Sequence, residues 1–444
     1  MATIARKGAA QASGASGAAW RALFVAWLGW MFDGYETYAL VLVAGVAMRD
    51  LLPADQLAQA PVYIGGLLAA TLVGWATGGV LAGILADYLG RKRTLMLSIL
   101  CYAVFTGLTA FSQAYWMLLV FRFLTGLGLG AEWGPGTAIV AEQWAPAVRG
   151  RAAGMLNTAF GFGFLLASGL WLVVGPMGPA SWRLMFLFGI APALVLLYIR
   201  RGIENPEVWV AADARRRAAR ERAARGEALQ AEDRGLLQFT MFHVFAAPEL
   251  RRRLVLLLLM SLASVVGWWA TSTWIPPFAA QLAGQRGEDP QHAAAVTGLI
   301  YNVGGILGYA AFGFLADAIG RKKSIFLYYL GAVLIVWGLF LFVRDPGLFL
   351  VAAAVNGFFT SGQFSWMPTY LPEVFPTAVR GSAISLVFDS SRYLAAAGPL
   401  IAGWLIANLG GISSAAAILG TIYLLGLVVV PFAAPETKGQ PLPA

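Results

Sequence analysis

The stretch GILADYLGRKR, Gly83 to Arg93, returns 230 residues later as GFLADAIGRKK, Gly313 to Lys323. Each copy ends an apolar run with an aspartate, Asp87 or Asp317. It then turns through Gly90 or Gly320 into a basic triplet, Arg91, Lys92 and Arg93 or Arg321, Lys322 and Lys323. A looser echo pairs EQWAPAVRG, Glu142 to Gly150, with EVFPTAVRG, Glu373 to Gly381, the proline standing one place earlier in the later copy. Repeats at this spacing mean that the chain consists of two halves built on one plan.

Composition says what the halves are made of. Of 444 residues 59% are hydrophobic and 12% charged, and the mean hydropathy is +0.71. A soluble protein of this size carries more charge. Apolar runs of about 20 residues, enough to cross a hydrocarbon core of roughly 30 Å, recur throughout. Twelve spans are expected, near 21–47, 62–86, 94–111, 115–140, 150–175, 183–200, 254–280, 294–317, 324–343, 347–371, 381–406 and 414–433. The fold class is therefore all-α integral membrane, with two pseudo-symmetric six-helix bundles at 21–200 and 251–433. A leader (1–20), a linker (201–250) and a tail (434–444) complete the plan. The first run lacks a small-residue cleavage site at a suitable distance and reads as a retained span.

Lys and Arg near span ends collect on the cytoplasmic side. Of the 31 basic residues, only Arg49, Arg183, Arg286 and Arg344 fall in the odd-to-even loops, and Arg122 and Arg392 fall within spans. Both termini are thus expected in the cytoplasm. The net charge of +9 follows from this topology and calls for a lipid bilayer as partner, with no nucleic acid. One cysteine, Cys101, and two histidines, His243 and His292, offer no disulfide and no metal cluster. The Ala/Arg/Glu-rich stretch Ala212 to Arg234 reads as a solvated tether containing surface helix. GLGLG (Gly126 to Gly130) follows no strand and lies in an apolar span, so it is no phosphate loop.

Two six-span halves with matching loops are the signature of a duplicated carrier, whose halves rock about a midplane site. Asp87 and Asp317 stand at a helix end ahead of Gly-Arg-Lys, placed for charge-assisted contacts that form as the halves close. The bland alternative is a basic turn that only sets orientation. Two copies at equivalent places favour a gate of Gly83, Asp87, Gly90, Arg91, Lys92 and Arg93 with Glu142 and Arg149. Its counterpart is Asp317, Gly320, Arg321 and Lys322 with Glu373 and Arg380.

On these motifs the chain resembles the major facilitator superfamily, although Tyr88 stands where that family usually has a basic residue. FRFLTGLGLGAEWGPGTAIVAE (Phe121 to Glu142) and DGYE (Asp33 to Glu36) are similar to proton-coupled importers of organic acids, including aromatic-acid and sialate symporters. PETKG (Pro435 to Gly439) resembles the sugar-porter branch. The resemblance implies import of a small organic acid by proton symport and alternating access, by a monomer in the cell inner membrane. The proton is the coupling ion and no other cofactor is implied. A proton-linked sugar or polyol carrier and an exporter working as proton antiporter are the alternatives. A membrane enzyme is disfavoured, because no set of nucleophile, base and oxyanion donors assembles from these residues.

A charge at bilayer depth costs roughly 2.5 kcal/mol or more and faces a cavity or a partner. Asp33 and Glu36, three apart, share a helix face, with Gly34 between them opening room for a neighbour. Arg122 lies at a depth where its fork is expected to pair with Asp33; substrate drawing Arg122 away would then link substrate and proton loading. Interhelical glue is the plain alternative. Glu132 is a second titrating site or a packing partner. In the second half Arg392 suits a carboxylate by bidentate contact, unless Asp389 neutralises it. Tyr35, Tyr38, Trp268, Trp269, Asn302, Asn356 and Gln363 are candidates to shape the cavity.

Overall fold

The computed structural model describes residues 17–191, 205–227, 237, 239–397 and 411–443. The leader as far as residue 16, the sixth span beyond 191, the linker at 201–204, 228–236 and 238 and the eleventh span at 398–406 lie outside the described residues. In the first half run α1 (Gly17–Leu51), α2 (Ala60–Leu89), α3 (Arg91–Thr109), α4 (Tyr115–Gln143), α5 (Arg149–Val174) and α6 (Ser181–Phe188). The linker holds α7 (Glu207–Ala224) and α8 (Thr240–Ala246). The second half has α9 (Pro248–Thr271), α10 (Ile275–Gly284), α11 (Pro290–Ile319), α12 (Arg321–Trp337), α13 (Pro346–Thr360), α14 (Trp366–Val374), α15 (Arg380–Ala395), α16 (Ile412–Gly420) and α17 (Tyr423–Ala433). Seven helical stretches among the described residues are long and apolar enough to cross a membrane on length and composition alone.

Breaks in the helices follow local chemistry. Pro276 and Pro277 lack the N–H a continuous helix needs, and the chain passes from α9 to α10 through a 3-10 turn at Ser272–Trp274. At Gly90 (φ +96°) and Gly320 (φ +103°) the backbone takes a conformation costly for any side chain, and this is how α2 turns into α3 and α11 into α12.

The halves repeat at atomic detail. A methyl on Gly74 would lie 2.2 Å from the Phe123 carbonyl, and one on Gly304 2.0 Å from the Ala354 carbonyl. Gly126 against Thr71 O (2.3 Å) and Gly357 against Tyr301 O (2.0 Å) are a second matching pair. These contacts fix α4 against α2 in the register that α13 takes against α11. Between halves, α2 lies along α15 and α5 along α11. The seams are equally tight: a methyl on Gly83 would meet Gly381 O at 2.6 Å, and one on Gly313 would meet Gly150 O at 2.4 Å.

Candidate functional site: a central cavity and a charged gate

A cavity between the halves is walled by Trp30, Trp75, Trp133 and Phe160 from the first and Val265, Trp268, Trp269, Phe364, Phe388 and Arg392 from the second. It is narrow, with about 40 Å³ open to the centre of a water molecule. Trp133 and Phe388 stack face to face across the interface, centroids 3.6 Å apart, and Trp30 packs on both. Arg392, 6% exposed, is seated over the rings of Phe388 (4.0 Å) and Trp75 (4.6 Å). It donates to Asp389 Oδ1 (3.2 Å) and to its own helix at Phe388 O (2.8 Å). The site thus offers a buried cation framed by aromatic faces, a surface that accepts a carboxylate on a planar or apolar body.

The expected pairing of Arg122 with Asp33 is corrected. Arg122 donates to Glu36 Oε2 at 3.1 Å, and its other nitrogens reach the hydroxyls of Thr109 (2.7 and 3.1 Å), Thr125 (3.0 Å) and Thr106 (3.4 Å). Phe186 lies 4.4 Å below the guanidinium. Asp33 and Glu36 share a face of α1, but Glu36 is one turn closer to the end from which Arg122 projects. The three threonines complete the cradle there. Neither carboxylate oxygen of Asp33 has a hydrogen-bond partner, and the same holds for Glu132.

Trp268 and Trp269 line the cavity, Trp268 donating to Ser361 (3.1 Å). The structure does not bring Tyr35, Tyr38, Asn302, Asn356 or Gln363 to its wall. Tyr35 is turned into the first bundle, its hydroxyl on Met185 O (2.7 Å), and Tyr38 stacks on Phe164. Asn356 and Gln363 serve the interior of the second bundle, where Asn356 accepts from Thr360 and Gln363 accepts from Ser264. Asn302 is only part-buried on α11.

At the end bearing both termini, the repeated motifs cross between halves. Asp87 accepts from the backbone N–H of Gly381 (3.0 Å) and Ser382 (2.9 Å) and from the Ser382 hydroxyl (2.7 Å). Asp317 accepts from the N–H of Gly150 (3.1 Å) and Arg151 (3.0 Å). Glu142 joins Arg91 (3.4 Å) to Arg380 (2.7 Å), and Glu373 joins Arg149 (3.1 Å) to Arg321 (2.8 Å). Lys92 offers its N–H to Asn205, Lys322 reaches Pro431 O, and Arg93 is exposed. The tail crosses the same surface: Thr437 donates to Glu373, and Pro443 O accepts from Arg380.

Sequence reasoning missed two groups. The tryptophans at 30, 75 and 133 sit beside glycines in mid-span, a signal of cavity wall over membrane belt. Arg216, one of many linker arginines, carried no signal. It is 4% exposed and bridges the halves, donating to Asp87 O (2.7 Å) and Ala378 O (3.0 Å) over the Tyr88 ring. The linker is therefore docked along α7, contrary to the solvated tether expected.

Two mirrored bundles around a central cavity, with a gate at one end, define a membrane carrier of the major facilitator fold. The chain belongs to the Sugar (and other) transporter family, which it matches over residues 22–444. It is similar to a putative metabolite transport protein of Haemophilus influenzae, with 31% identity over 424 residues, 95% of this chain and 98% of the relative. A probable 4-methylmuconolactone transporter of Cupriavidus pinatubonensis is 29% identical over 93% of this chain and 89% of its own. The solved proton:xylose symporter XylE shares the fold, with TM-score 0.75 and 20% identity over 96% of this chain and 97% of its own. The protein is a multi-pass membrane transporter and not an enzyme.

Proposed function

We propose that the protein imports a small organic acid together with a proton, by alternating access, as a monomer in the cell inner membrane with both termini in the cytoplasm. The observation that carries this reading is Arg392, a buried guanidinium over aromatic rings at the boundary of the two halves. The relative named for 4-methylmuconolactone supports a planar acid as cargo. The Lys/Arg asymmetry supports the orientation, so the interlocked gate belongs to the state closed toward the cytoplasm. Coupling is assigned to the ionisable cluster of Asp33, Glu36, Arg122 and Glu132 in the first half. All four are buried at span depth, where a charge is retained for a pathway.

One observation favours a second reading, a proton-linked carrier of a neutral sugar or polyol. Asp389 already sits on Arg392, which lowers the pull on an anion. The test is proton movement into proteoliposomes with an internal pH dye while organic acids and sugars are added outside, beside protein-free vesicles. Protein-dependent acidification by carboxylates is expected; acidification by sugars alone would move the assignment to the second reading. Arg392→Lys should raise the half-saturating concentration of the acid about tenfold, since a charged hydrogen bond is worth roughly 1.5–3 kcal/mol and Lys loses the fork.

A further inference from the structure

Within the ionisable cluster the carboxylates are not equivalent. Glu132 of α4 is lodged against α1 in the space left by Gly29. A methyl there would lie 1.4 Å from Glu132 Oε1 and 2.5 Å from its Cδ. Gly29 and Asp33 are one turn apart on the same face of α1, so the two acids occupy one pocket between α1 and α4. Asp33 is 0% and Glu132 2% exposed, and all four oxygens lack a hydrogen bond. The Tyr102 hydroxyl of α3, also fully buried and without a partner meeting hydrogen-bond geometry, faces Glu132.

The charged groups facing the pair are Glu36 on α1, Arg122 on α4, and Asp389 and Arg392 on α15. Both cations are engaged elsewhere, Arg122 by Glu36 and three threonines and Arg392 by Asp389. Two buried carboxylates with no cation of their own lack any donor between them, and one proton supplies it.

The second half gives the comparison. Gln363 stands 231 residues after Glu132, the spacing that also relates Glu142 to Glu373 and Arg149 to Arg380. There the amide accepts from Ser264 (3.1 Å) and donates to Thr360 O (3.1 Å), so its needs are met without an ionisable group. Packing at this place in the bundle does not require an acid.

We infer that Asp33 and Glu132 form a shared proton-binding site that holds one proton between them in this state, and that Glu36–Arg122 is a fixed pair beside it. This rests on the symport reading above and narrows it to one pair of side chains. The proton is taken from water and returned to water, with an O–H bond formed on one carboxylate and broken again.

Two measurements on the full-length protein test it. In proteoliposomes, Glu132→Gln and Asp33→Asn should each lower proton-driven accumulation at least tenfold while counterflow exchange stays within about twofold and loses the wild-type dependence on pH. Accumulation by Glu132→Gln with an unchanged pH profile would overturn the site. So would accumulation driven by a sodium gradient at equal pH, which would make the ligand a metal cation. Infrared difference spectra across a pH jump need no substrate: a protonated-carboxyl band present in the wild type and lost in both variants is expected. Its persistence in Glu132→Gln and Asp33→Asn alike would sink the inference even if another substrate class were carried. A wild type that shows the band but moves no acid would sink the symport reading alone.

Discussion

Arg122 sets the residue scale, because every nitrogen of its guanidinium is engaged inside the first bundle. Removing one member of a buried pair leaves the other charge uncompensated, at a cost of about 3–5 kcal/mol. Glu36→Gln should therefore lower the melting temperature of the detergent-purified protein sharply, and Glu36→Gln with Arg122→Gln should recover part of the loss. A single variant as stable as the wild type would show that the threonine cradle alone suffices. The sequence made the cluster legible, since acids and an arginine at bilayer depth stand out against an apolar background. It did not make the partner legible. Asp33 and Glu36 share one helix face, and which of them meets Arg122 depends on how α4 slides and tilts against α1.

At the scale of elements, glycine decides how closely helices approach. A methyl on Gly163 of α5 would fall 2.0 Å from Met31 O on α1, whereas one on Gly169, two turns along, meets nothing within 4 Å. Gly163→Ala should destabilise by roughly 1–3 kcal/mol through forced separation of α1 and α5. Gly169→Ala should be neutral or slightly stabilising, because Ala is the better helix former. Thermal unfolding of the pair checks this, and equal losses would refute the contact. The spans themselves were readable from hydropathy, because a bilayer dictates their length and polarity. The docking of α7 was not, because Arg216 and Trp209 are held by carbonyls of other elements, and no local pattern announces such a partner.

For the whole molecule, the gate is an equilibrium between two arrangements of rigid halves. Asp87 closes one seam through two backbone N–H groups and the Ser382 hydroxyl. Charge-assisted bonds of this kind are worth about 1.5–3 kcal/mol each, so Asp87→Asn should shift the population at least tenfold toward the form open at the termini-bearing end. Spin-label distances across that end, in a Cys101→Ser background, would read the change. An unaltered distance distribution would place closure in the remaining ion pairs. The repeat made this gate legible as a set of residues. Its cross-bonding, each aspartate reaching the backbone of the opposite half, required the fold.

Gln363 opposite Glu132 also gives the duplication a genealogy. Two copies of one ancestral six-helix unit have kept their glycine contacts and gate motifs, yet only one retains an acid at this place and only the other carries an arginine into the central cavity. Redundancy freed each copy to abandon what its twin preserved. The unit of inheritance is therefore half a carrier, and neither half by itself retains the full complement of charged groups.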